Sequence, residues 1–177
     1  IWTGLSSADV HEIGSGAIIS SLYGLVRSMF NEGHGDDRPW SLFNNAPLRE
    51  LLSRVIRFDR LAERVSDGDV RALAITALGY TTGASLTFFQ AGESKGWHRH
   101  RRIGLPTELT LDHLMASTAI PGIYPAVLIH REYFGDGAVR QPAPLSPGLH
   151  LGATRLFVIG VSHNPSEPDN RREKTTH

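Results

Sequence analysis

Two apolar runs set close together constrain this 177-residue chain more than any other feature. Residues 71–77 (RALAITA) and 84–89 (ASLTFF) are short and apolar, and a Thr-Thr-Gly turn separates them. That pattern predicts two neighbouring strands. Upstream of Val70 the texture is helical. Between Ser15 and Phe30 the residues Ile18, Ile19, Leu22, Leu25, Val26, Met29 and Phe30 recur at helical spacing. Residues 31–40 are polar and Gly-rich, hence a loop. Asn45 is then placed to cap a helix with Pro47 near its first position, running through Leu48, Leu51, Leu52, Val55 and Ile56. A short helix from Asp59 to Val65 should end at the Asp67-Gly68 turn.

Beyond the second run, residues 92–106 read as a loop, with Trp97-His98-Arg99-His100-Arg101-Arg102 inside it. A helix from about Leu111 to Ala119 must stop at Pro121-Gly122. Residues 126–134 (AVLIHREYF) predict a strand pair or hairpin, and 155–161 (RLFVIGV) a buried strand. From His163 the chain is polar and charged and is expected to be a disordered tail. Helices mixed with apolar strands point to a layered α/β fold, and the length suits one domain.

Charge and composition narrow the chemistry. Eighteen basic and eighteen acidic residues cancel, so nothing global points to a nucleic-acid partner. The absence of cysteine removes disulfides, thiolate catalysis and cysteine-ligated metals together, and fits a reducing compartment. The longest apolar stretches fall short of a membrane span, so a cytoplasmic or peripheral membrane location is expected. His98 and His100 alternate as metal ligands sometimes do, but no nearby carboxylate or helical His pair accompanies them. His113 and His130 read as packing or surface residues. There is no Walker loop or dinucleotide fingerprint. The basic cluster from Trp97 to Arg102 reads first as a solvated loop. Its second reading sets Trp97 at a lipid interface, with Arg99, Arg101 and Arg102 on head-group phosphates.

The most informative dipeptide is Asp136-Gly137. After an alternating apolar run, Asp-Gly is foremost a hairpin signal. Its surroundings favour another use. Upstream stands Ala116-Ser117-Thr118-Ala119-Ile120-Pro121-Gly122-Ile123-Tyr124-Pro125-Ala126-Val127. The dipeptide itself lies in Phe134-Gly135-Asp136-Gly137-Ala138, with Pro144-Leu145-Ser146-Pro147 and Leu151-Gly152-Ala153 downstream. A weaker third segment is Ser41-Leu42-Phe43-Asn44-Asn45-Ala46-Pro47-Leu48. In this order and at these distances they resemble the later two-thirds of bacterial patatin-like phospholipase domains, over roughly Trp2 to Ser162.

The resemblance implies a three-layer α/β/α fold and hydrolysis of lipid esters by a serine–aspartate dyad, without a cofactor. It implies that Asp136, in the motif Asp136-Gly137-Ala138, is the base. A carboxylate that takes a serine proton directly needs a short hydrogen bond in a water-poor site, and small neighbours permit the close approach. Ile123, Tyr124 and Leu145 are candidates for an acyl-chain pocket, or else core. The implied partner is a lipid ester or phospholipid, with peripheral membrane contact. The family often has Asn six residues after the aspartate, where this chain has Pro142, which touches the hydrogen bonding around Asp136 rather than its role.

The family's nucleophile elbow, Gly-x-Ser-x-Gly, is not found in the sequence. Gly4-Leu5-Ser6-Ser7-Ala8 has too few residues before it for the elbow's strand, and Gly14-Ser15-Gly16 has the wrong spacing. The opening Ile1-Trp2, without methionine or leader, reads as the middle of a longer sequence. The expectation is therefore a C-terminal part of the domain over residues 1–162, incomplete at its N-terminus, followed by the 163–177 tail, and inactive alone. Two alternatives stay open. One is a non-catalytic lipid-binding or interaction module that keeps the fold. The other is an unrelated α/β ligand-binding domain in which Asp136-Gly137 is only a turn.

Overall fold

The predicted pair of apolar strands forms the middle of a single mixed sheet. In the computed structural model, which describes residues 41–140 and 145–159, β1 (Ala72–Gly79) and β2 (Ser85–Ala91) pair antiparallel from Ala72↔Ala91 to Leu78↔Ser85. The expected hairpin gives β5 (Val127–Ile129) and β6 (Glu132–Asp136). Two further strands, β3 (Trp97–Arg99) and β4 (Arg102–Pro106), lie where a loop was expected. The six-stranded order is β3-β4-β2-β1-β6-β5, with β2 and β4 parallel and the other pairs antiparallel.

The loop expectation for residues 92–106 is thus corrected, and the reason is positional. β3 is three residues long, basic, and at the edge of the sheet. Short charged edge strands guard against edge-to-edge association, and their polarity hides them from a search for apolar runs. Their turn is tight, with Arg101 in the left-handed region at φ 56°.

The expected buried strand at 155–161 is also corrected. Residues 155–159 form no strand and lie exposed, Phe157 at 91 %. No described strand runs beside them, and strand propensity without a partner does not make a ladder. Residues 160–161 lie outside the described residues, as do the expected helix over 15–30, the 31–40 loop, both near-miss serine motifs, Pro142, and the 163–177 tail.

Helices cover both faces of the sheet. α1 (Ala46–Val55) and α2 (Leu61–Ser66) flank a 3-10 turn at Phe58–Arg60, and α3 (Leu111–Thr118) follows β4. Adjacent residues of a strand point to opposite faces. Phe88 meets His113 of α3 edge-on at 4.6 Å, whereas Phe89 stacks on Trp97 at 5.1 Å. Trp97 stacks in turn at 4.6 Å on His150, the last residue of α4 (Ser146–His150). So α3 covers one face and α4 the other, which makes three layers. The core of Ile75, Ala77, Leu86, Phe88, Leu109, Ala116 and Phe134 lies on the α3 side. Arg49 Nη2 and Asp112 Oδ1, 2.6 Å apart, tie α1 to α3 at the surface. Asn45 occupies the cap position of α1, but its side chain makes no capping bond. Instead Asn44 Oδ1 accepts from the Ala46 N–H at 3.0 Å.

α3 begins with a capping box. His113 Nδ1 accepts from the Thr110 N–H at 3.1 Å, while Nε2 is buried without a partner among the described residues. Burial pushes the His113 pKa below its ordinary 6.5, and neighbouring His130 adds to this, while Asp112 and the Thr110 backbone oppose it. A depressed imidazole binds its proton more readily in the unfolded chain. Its contribution to stability is therefore complete above about pH 6.5 and is lost as pH falls from there through the folded value. Urea midpoints measured between pH 7.5 and 5 should fall more steeply for the wild type than for His113→Gln, which keeps a capping acceptor but does not titrate. Parallel curves for the two proteins would show that His113 is not the group responsible.

Candidate functional site

The three segments singled out in the sequence converge on one short stretch after α3. Leu42 N–H donates to Gly122 O at 3.0 Å and Phe43 N–H to Ile123 O at 2.8 Å, next to a parallel bridge between Ser41 and Gly122. Asp136 N–H donates to Ala119 O at 2.8 Å. Pro121 and Gly122 end the helix, which frees these carbonyls from intrahelical bonding and leaves them to receive the other two segments.

Asp136 is the last residue of β6, opposite Ala77 of β1. There the chain leaves the sheet for a 3-10 turn, Gly137–Val139, and Asp136 caps it. Its Oδ1 accepts from the Ala138 N–H at 2.8 Å, the local bond for which aspartate is favoured at such positions. Gly137 is buried against β1. A Cβ there would stand 2.6 Å from Thr76 O, a backbone atom that cannot yield, so the turn requires glycine for close approach. This is a turn anchored across the sheet, unlike a plain hairpin.

Because β6 pairs with β1 only over Ala77–Gly79, the stretch Ala72–Thr76 has no strand beside it on that side among the described residues. An open groove of about 680 Å³ lies there. Its apolar wall is formed by Ile56, Phe58, Leu73, Ile75 and Leu114, and Thr76, Ser117 and Asp136 are the lining residues with polar side chains. Gly137, Ala138, Pro147 and Gly148 form the side nearest the turn. Among the described residues no lysine or arginine lines it, and the half-buried Asp136 shares it with these apolar side chains. The charge is felt nearby. Burial raises the Tyr80 pKa above 10.0, and the negative charge of Asp136 raises it further. The Tyr80 ring packs where a Gly135 side chain would otherwise stand.

Gly137 and Ala138 thus share the groove with Asp136, but Ile123, Tyr124 and Leu145 are not among its lining residues. Ile123 and Tyr124 belong to the turn after α3, where Tyr124 tilts against Phe43 at 6.3 Å, and Leu145 is exposed before α4. The apolar wall built from Ile56, Phe58, Leu73 and Leu114 was not legible as a site, since each residue reads as ordinary core when taken alone. Ser117 was missed for a similar reason, sitting one residue before the end of a helix rather than in a serine motif. His98 and His100 form no metal-binding group, and none of three or more His, Asp or Glu exists among the described residues.

What the groove can do chemically is hold an apolar chain beside a carboxylate able to accept a proton. No curated protein and no solved structure matches the chain. The family model described as patatin-like phospholipase matches residues 6–149, a span that takes in the turn after α3, the Asp136 turn and the groove wall. The chain therefore belongs to the patatin-like phospholipase family, a family of lipid acyl hydrolases.

Proposed function

We propose that Asp136 is the general base of a serine–aspartate dyad that hydrolyses a carboxylic ester of a lipid. The observation that carries the reading is the juxtaposition of this carboxylate with an open apolar groove. The serine hydroxyl would give its proton to Asp136 while its oxygen attacks the ester carbonyl. As the tetrahedral intermediate collapses, Asp136 would pass that proton to the oxygen of the departing alcohol, leaving an acyl-serine and a free carboxylate. Water would then attack the acyl-serine, with Asp136 taking the water proton and returning it to the serine oxygen as the fatty acid leaves. Ile56, Phe58, Leu73 and Leu114 would hold the acyl chain, and the apolar setting would keep water from competing for the carboxylate.

The nucleophile in this proposal is a serine supplied by sequence outside residues 1–177, and those residues alone would not turn over esters. Among the described residues no strand pairs with β1 at Ala72–Thr76 on the side of Asp136, which supports the reading, because a strand carrying an elbow would pair there. Ser117 lines the groove but lies within α3, where its neighbouring backbone N–H groups are taken up by the helix and cannot form an oxyanion hole. A fluorophosphonate probe applied to the full-length protein tests the point. Mass spectrometry should find the label on a serine outside these residues, within Gly-x-Ser-x-Gly. A label on Ser117, or on any other serine of residues 1–177, would overturn the external-serine reading.

A further inference from the structure

A second cavity, of about 430 Å³, lies beyond the 3-10 turn that follows Asp136, lined by Ser85, His100, Arg101, Arg102, Val139 and Arg140. Three of these six residues are arginines and none is acidic, in a chain whose overall charge is balanced. The described arginine ion pairs belong to Arg49, Arg54, Arg57 and Arg64, so among the described residues Arg101, Arg102 and Arg140 have no carboxylate partner. They do not meet because they are neighbours in sequence. Arg101 and Arg102 come from the β3–β4 turn, whose backbone is fixed by the Ser85 N–H bond to Arg101 O at 2.9 Å. Arg140 comes from the far end of the Asp136 turn, where its N–H donates to Gly137 O at 3.2 Å.

Guanidinium groups gathered round one cavity without counter-charge repel one another, and an anion entering the cavity converts that repulsion into attraction. We propose that this cavity binds a phosphate group. Each guanidinium presents a planar fork of N–H donors that matches phosphate oxygens two at a time, and the His100 ring can add another donor. Asp136, Gly137 and Ala138 line the apolar groove, whereas Val139 and Arg140 line this cavity. The one turn therefore separates hydrocarbon from phosphate. A phospholipid straddling it would keep its phosphate apart from its ester, a placement that rests on the ester-hydrolase reading, while phosphate binding itself does not.

The test uses full-length protein carrying Asp136→Asn, so that any turnover does not obscure binding. Inorganic phosphate is titrated by calorimetry at constant ionic strength, and phosphatidylcholine vesicles with and without phosphatidic acid are compared by co-sedimentation. Arg102→Gln and Arg140→Gln should each weaken binding by about tenfold or more, the effect of losing a charge-assisted hydrogen bond. Arg54→Gln, an arginine outside the cavity, should leave it unchanged. Loss in the vesicle arm alone assigns a lipid head group, and loss in the phosphate arm alone assigns free phosphate. Where circular dichroism shows a glutamine variant unfolded, the lysine variant, which keeps the charge and loses the fork, should weaken binding in the same direction. Binding at wild-type strength in the folded cavity variants, or no saturable binding in either arm, overturns the proposal.

Discussion

Replacing Asp136 by Asn in the full-length protein is expected to lower kcat for a short-chain ester by about 10²–10⁴-fold, the usual contribution of a positioned general base. The substitution isolates proton transfer from structure. An Asn side chain keeps the volume and an Oδ1 acceptor for the Ala138 N–H, the bond that closes the 3-10 turn. Only the charge and the proton affinity disappear. Stability should therefore change by no more than about 1 kcal/mol, the difference between a charged and a neutral acceptor. KM should hold, since the apolar wall of the groove is untouched. A second readout does not depend on turnover. The Asp136 charge contributes to raising the Tyr80 pKa, so one tyrosine should titrate closer to 10.0 in the variant, with the burial contribution remaining. Equal kcat in the two proteins would remove the proposed role of Asp136, whatever the tyrosine does.

The largest effect on stability is expected from Phe89→Ala, at about 3–5 kcal/mol. Phe89 is completely buried and is the residue through which the sheet meets its second helical layer. Its ring carries Trp97, and Trp97 carries His150 of α4. The stack is tight enough that Gly104, beside Trp97 on β4, has no room for a Cβ under the indole. Truncating Phe89 would leave a cavity whose walls are two strands and a rigid ring, and such walls cannot collapse to fill it. For a domain whose total stability is typically about 5–15 kcal/mol, the loss is a large share. Urea unfolding measures it directly. Leu128, more than half exposed on β5, serves as the comparison, and Leu128→Ala should cost well under 1 kcal/mol. A similar small cost for Phe89→Ala would contradict the three-layer packing described above.

How much of this could be read beforehand differs from one element to the next. β1, β2, the β5–β6 pair and α3 announce themselves through local chemistry. Apolar runs bounded by turn residues, and a helix stopped by Pro121-Gly122, express preferences that a few neighbouring residues hold among themselves. The small-residue turn at Asp136-Gly137-Ala138 belongs with them, because an aspartate capping the next residues acts within two positions. β3 and β4 did not announce themselves, since β4 becomes a strand only when Ser85 to Phe89 lies alongside to pair with it, and the basic β3 only when β4 does. The opposite error at 155–159 has the same root, an apolar run with no described strand beside it.

The amino-acid order by itself therefore determined which short segments could be strands, turns or helices, and where a carboxylate would stand on a turn of small residues. Only the tertiary structure decided that β6 would leave β1 early, opening a groove walled by Ile56, Phe58 and Leu114 around Asp136. It alone brought Arg140 to Arg101 and Arg102. Hydrogen bonds and dihedral preferences act over a few residues and leave their mark in short patterns. The shape of a groove and the gathering of charges depend on contacts between segments far apart in the chain, and no local pattern encodes these.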